Sequence, residues 1–231
     1  MQRKMQVRYI MEWMEEHASK ENLDGMARFG INTKNAFGIS MDELRKYGKY
    51  DIKPSHELAL GLWKTGKHEA RILASIVDEE GQVDEDQMEE WVLDFDSWDL
   101  CDQVCLNLFW KTGSAYIKAE EWASERGEEF VKRAGFVLMA VLAVHDKRGS
   151  NKRFLRFLEV IKEQSGDNRN LVKKAINWAL RQIGKRNKLL NSYAMETAME
   201  MAKMESKTAK WIGSDALKEL ESKEVQKRLE D

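Results

Sequence analysis

Residues 131–143 read VKRAGFVLMAVLA, and residues 172–184 read VKKAINWALRQIG. Each opens on Val, a basic pair and Ala, and then runs on in apolar residues. Apolar residues at three- and four-residue spacing fall on one stripe of a helix. The two stretches lie 41 residues apart, so that Arg133 and Lys174 occupy the same slot. AKWIGSDALKEL (209–220) reads as a further copy, with Ala216-Leu217 lying 37 residues beyond Ala179-Leu180. A helix pair recurring at about 40 residues cannot bury its apolar face alone and must stack on its neighbours.

The rest of the chain is built of the same material. It has one Pro and 14 Gly in 231 residues and is rich in Ala, Leu, Glu, Lys and Met. Few turn formers and many helix formers predict an all-α protein. HELALGLWKTG (56–66) predicts a helix that starts after Pro54 with Ser55 as its N-cap. HEARILASIVDEEG (68–81) follows closely, so the two form an antiparallel pair. A short acidic helix is predicted in DEDQMEEWVLDF (84–95), then one in SWDLCDQVCLNLFWKTG (97–113) with Ser97 as N-cap. Five further helices are predicted between Ala115 and Met204, and a last one in KTAKWIGSDALKELES (207–222). No segment alternates as a strand does. The expected fold is a HEAT-like repeat α-solenoid with a concave basic surface, one domain spanning residues 1–231. A closed helical bundle is the alternative.

Net charge is −2, but the charge is unevenly placed. From Asp78 to Phe130 there are 17 Asp and Glu against three Lys and Arg. From Val131 to Leu190 there are 15 Lys and Arg against four Asp and Glu. Such an asymmetry marks either a polyanion partner or two differently solvated faces. The polar N-terminus and the absence of a long apolar run predict a cytoplasmic protein without signal peptide or membrane span. Two cysteines fit a reducing compartment. There is no phosphate loop, no dinucleotide fingerprint and no H-E-x-x-H, so no cofactor and no metal are expected.

DSWDLCDQVC (96–105) concentrates the chemistry. Cys101 and Cys105 share a helix face, lack zinc partners nearby and bridge poorly, so they read as buried small hydrophobes. Trp98 and Asp102 also lie four apart and share a face. A carboxylate among Leu, Val, Cys and Phe is costly unless something uses it. It is either a structural aspartate held by a neighbour or a functional one. Arg133 reads as a salt-bridge former or a ligand contact, and Trp178 as core or site.

SWDLCD, KRAGFVLMA and KKAINWALRQIGKRN resemble the core motifs of the AlkD-like DNA alkylation repair family of HEAT-like DNA glycosylases. The resemblance begins at MARFGINTKNAFGI (26–39), continues through ELALGLWKTGKHEARILA (57–74) and is strongest from 96 to 187. It implies hydrolysis of the N-glycosidic bond of cationic alkylated purines, 3-methyladenine and 7-methylguanine, in double-stranded DNA, without a base-enclosing pocket. The family's W-D-x-x-D element falls on Trp98, Asp99 and Asp102. The resemblance makes Asp102 the essential carboxylate and Trp98 the sugar-facing aromatic. The family's arginine falls on Arg133 and its second tryptophan on Trp178. Lys173, Lys174, Arg181, Lys185 and Arg186 are the clustered candidates for phosphate contact. Ser97 stands where some members carry an aromatic. A monomer is expected. The other reading is a non-catalytic HEAT-like module that binds DNA or protein.

Overall fold

A computed structural model describes residues 2–230, with side chains from residue 5. The chain forms two compact units, Met1–Gly113 and Ser114–Asp231. Within the described residues, all regular structure is helical.

The first unit holds α1 (Gln2–Glu16), α2 (Lys20–Arg28), α3 (Met41–Tyr50), α4 (His56–Trp63), α5 (His68–Val77), α6 (Glu85–Leu93) and α7 (Trp98–Asn107). Ser55 caps α4 by accepting from the Leu58 N–H, as its place after Pro54 predicts. Asp84 caps α6 in the same way. Gly66, at φ +68, turns the chain between α4 and α5, which pack together. Helix α5 also packs on α3 and α7. The core is aromatic: Trp63 and Trp91 stack at 3.9 Å, and Phe95 and Phe109 abut them. Of the eight tryptophans in the chain, Trp63 and Trp91 are therefore packing residues.

Two acids, Glu69 buried and Asp94 partly exposed, organise this unit. Glu69, 1% exposed, accepts the N–H groups of Phe37, Gly38 and Ile39 at 2.8, 2.7 and 3.2 Å. It pins the non-helical segment between α2 and α3 to α5. Asp94 accepts Trp63 Nε1 and Arg71 Nη2, both at 2.8 Å, tying α4 and α5 to the end of α6.

The second unit holds α8 (Ala115–Ser124), α9 (Glu129–His145), α10 (Asn151–Gln164), α11 (Asn170–Gly184), α12 (Lys188–Lys203), α13 (Lys207–Leu220) and α14 (Lys223–Glu230). Helices α9, α11 and α13 pack in sequence as one row, and α8, α10 and α12 as another. Each predicted copy, 131–143, 172–184 and 209–220, falls on a helix of the first row, so the 40-residue period is the repeat of a two-helix layer. The slot shared by Gly135 and Gly213 has a packing reason. A Cβ at Gly135 would collide with the backbone of Ala119 and Ala123 in α8, and one at Gly213 with that of Ala198 and Ala202 in α12. The middle copy carries Ile176 there, and α10 packs less closely on α11.

Candidate functional site

The candidate residues divide between the units. Trp98 and Asp102 belong to the first. Helix α7 turns Leu100, Cys101, Val104 and Cys105 inward, all fully buried. The cysteines are packing residues, as their spacing predicts. Trp98 and Asp102 lie one turn apart at the edge of that face, each partly open to solvent. The Trp98 indole donates its Nε1–H to the Phe29 carbonyl at 3.0 Å, which fixes the plane of the ring.

The neighbouring acid has a different task. Asp99 bonds His68 Nε2 at 2.9 Å and accepts the Ser97 hydroxyl at 2.6 Å. Ser97 thus occupies the N-cap position, but its side chain serves Asp99 and makes no bond to a backbone N–H of the first turn. His68 is 5% exposed. Burial opposes its charge, but the hydrogen bond and charge of Asp99, aided by Glu69 and Asp96, prevail and raise its pKa above 6.5. Burial likewise opposes ionisation of Asp99, and the bond and charge of His68 prevail, so its pKa falls below 3.8. The start of α7 is held to the start of α5 by this pair. Of the two aspartates in W-D-x-x-D, the first is bound to His68 and Ser97, and the second is partly open to solvent. His68, 31 residues away, gives no local signal that Asp99 has a partner.

The remaining candidates lie in the second unit. Arg133 is 6% exposed, and its Nη1 donates to the Leu171 carbonyl at 2.6 Å, joining α9 to the first turn of α11. Lys174, in the equivalent slot of the next copy, is exposed, so the slots match in chain path but not in environment. Lys174, Trp178, Arg181 and Lys185 fall on one face of α11, by the spacing of a helix. Trp178 is half-buried. Arg181 and Lys185 both pair with Glu219 of α13, Lys185 at 2.6 Å. Their charge and that of Arg169, beside Asp167, are met by local carboxylates. Lys173 Nζ sits 5.0 Å from the centre of the Trp211 ring. Arg186 donates to the carbonyls of Ala143 and Gly149 and lies 4.3 Å over Phe154. Lys174 is the exposed member of the predicted basic set; the other four have protein partners.

With the geometry in place, comparison with known proteins is decisive on ancestry. The family described as DNA alkylation repair enzyme matches residues 10–220. The chain belongs to that family. A solved structure described as "a new family of proteins related to the HEAT-like repeat DNA glycosylases with affinity for branched DNA structures" aligns with the alkylation repair chain at a TM-score of 0.78 and 22% identity. The alignment covers 96% of this chain and 95% of that one. At this identity the likeness carries the fold, and the all-α HEAT-like expectation holds. No curated protein matches this member of the alkylation repair family. Among the described residues, no helix is long and apolar enough to cross a membrane.

Proposed function

We propose that the protein is a DNA glycosylase that hydrolyses the N-glycosidic bond of positively charged alkylated purines in duplex DNA, without enclosing the base. The observation that carries this reading is the placement on α7 of Asp102, partly open to solvent and one turn from Trp98, a tryptophan whose ring plane is fixed by the Phe29 carbonyl.

The chemistry suits such a pair. An N3- or N7-alkylated purine is already cationic and leaves with the bonding electrons, which neutralise it. The barrier that remains is positive charge on the deoxyribose C1′. A carboxylate beside that carbon stabilises the charge and orients the water whose oxygen replaces the base. Asp102 has that role in this reading. Trp98 and Trp178 pack on the sugar and backbone, their ring faces favouring a nearby cation. Arg133 holds a phosphate oxygen, and Lys173, Lys174, Arg181, Lys185 and Arg186 supply sequence-independent attraction.

A second reading, a DNA-binding module without turnover, is favoured by one observation. Arg133 is nearly enclosed and bonded to Leu171, as a purely structural arginine would be. The related solved structure is described by its affinity for branched DNA.

Base release from methylated duplex DNA separates the two. The wild type is expected to release 7-methylguanine, and Asp102→Asn to lose release by at least a hundredfold with binding retained. Release undiminished in Asp102→Asn would sink the mechanism; binding by the wild type with no release would select the second reading.

A further inference from the structure

The second unit carries a cleft of about 420 Å³ that takes no part in the proposed bond cleavage, although two of its cations, Lys185 and Arg186, belong to the set assigned to DNA attraction. Its walls are the turn from α9 to α10, the turn from α11 to α12, and α14. Lys147, Lys185, Arg186 and Arg228 line it, with Asn151 and Asn187, and no carboxylate is among its described lining residues. We infer that this cleft is a phosphate site that takes a backbone phosphate of a nucleic-acid strand. The assignment rests on the DNA-binding part of the proposed function but not on its glycosylase part.

Charge is the first argument. Glu219 lies against Lys185, and the Asp146 carboxylate acts on Arg186 from outside the cleft. Setting these acids against those cations leaves Lys147 and Arg228 in surplus, both exposed. Helices α10 and α12, of 14 and 16 residues, start at the cleft, at Asn151 and just after Asn187. Their N-terminal dipoles add positive potential to a site already lined by cations.

Rigidity is the second. Asp146 accepts the N–H groups of Arg148 and Gly149, each at 3.0 Å, and the Tyr116 hydroxyl at 2.7 Å. Arg186 clamps the same turn through the Ala143 and Gly149 carbonyls. Asn187 accepts from the Leu190 N–H and donates to Asn151 Oδ1 at 2.9 Å, joining the two helix starts. The walls are thus built before a ligand arrives, which removes an ordering cost from binding. Extension is the third argument. The exposed side chains of Arg148, Lys152 and Lys188 adjoin the lining residues in sequence and continue the positive surface, which suits a polyanion better than a lone ion.

The test is a fluorescence-anisotropy titration of a duplex oligonucleotide across a salt series. It compares the full chain, Lys147→Gln/Arg228→Gln and a control, Lys203→Gln/Lys207→Gln. The control lysines are exposed and lie at the far end of α12 and at the start of α13, about 24 Å along α12 from Asn187. The cleft variant is expected to bind on the order of tenfold more weakly at low salt. Its salt slope should fall by about 1, the loss of one phosphate contact, while the control stays close to the wild type. A cleft variant indistinguishable from the control would overturn the assignment, as would failure of the wild type to bind DNA. Inorganic phosphate is tested separately by thermal shift against chloride at equal ionic strength. Stabilisation lost in the cleft variant, with DNA affinity unchanged, would assign the cleft to a free anion and overturn the nucleic-acid source. Absence of base release by the wild type would sink the glycosylase reading and leave this comparison standing.

Discussion

At the scale of single residues, the His68–Asp99 pair governs how α7 is presented. The raised pKa of His68 means its contribution is full below about pH 6.5 and is lost as pH rises through the higher folded value. The lowered pKa of Asp99 means its contribution is present above about pH 4 and is lost as pH falls through the lower folded value. The pair therefore stabilises most between those limits. His68→Gln keeps a donor toward Asp99 but cannot charge. The stability gap between wild type and His68→Gln, from denaturant melts, is expected to be largest at pH 5–6 and to narrow as pH rises through the raised folded value of His68; a gap independent of pH would remove the ion pair from the account. His68→Leu leaves a largely buried carboxylate unpaired and should cost about 3 kcal/mol. The sequence showed Trp98 and Asp102 on one face because helical spacing is local. It did not show the work of Asp99, because the partner comes from another helix.

At the scale of elements, close helix crossings decide what is tolerated. Gly135→Ala places a methyl into the backbone of α8 and is expected to destabilise by about 2 kcal/mol. Gly127→Ala meets nothing within 4 Å and should be neutral or slightly stabilising in the same thermal melt. Equal effects of the two would refute the crossing argument. Arg133→Met removes the bond to Leu171 and is expected to lower stability by about 1–3 kcal/mol. A smaller salt slope for DNA, beyond that loss, is the separate sign of phosphate contact. The helices from α4 to α13 were legible because their apolar periods lie in contiguous sequence, whereas α14 (Lys223–Glu230), with Val225 its one buried residue, was not. Helix α3 escaped that reading although Ser40 and Glu43 form a reciprocal capping box at its start. Its buried residues are only Leu44 and Gly48, so it shows little apolar period. The exposure of Arg133 and Lys174 was not legible at all, since one slot in a repeat can face different neighbours.

At the scale of the whole molecule, the basic block from Val131 to Leu190 overstates the charge available to a partner. Lys132 lies 3.5 Å from Asp167, Arg156 pairs with Glu120 and Glu159, and Lys162 pairs with Glu200. Arg169, Arg181 and Lys185 are likewise paired. Exposed cations such as Lys147, Arg148, Lys152, Lys174 and Lys188 remain. If about four of these meet phosphates, the logarithmic salt slope of duplex binding contributed by this block is about −4. A slope near −10, measured from 50 to 200 mM salt, would mean that the internal pairs open on binding. Counting charges along a sequence cannot make this distinction, because pairing is a property of the folded surface.

The bond from Trp98 to Phe29 is made to a carbonyl, and so it is blind to the side chain at position 29. Evolution can exchange that residue without turning the indole. It cannot lengthen or shorten the segment from 29 to 39 as freely, because Glu69 fixes the far end by three backbone bonds. Variation in this region is therefore expected as substitution rather than insertion: a one-residue insertion after Ile31 should shift the fluorescence of Trp98, whereas Phe29→Ala should not.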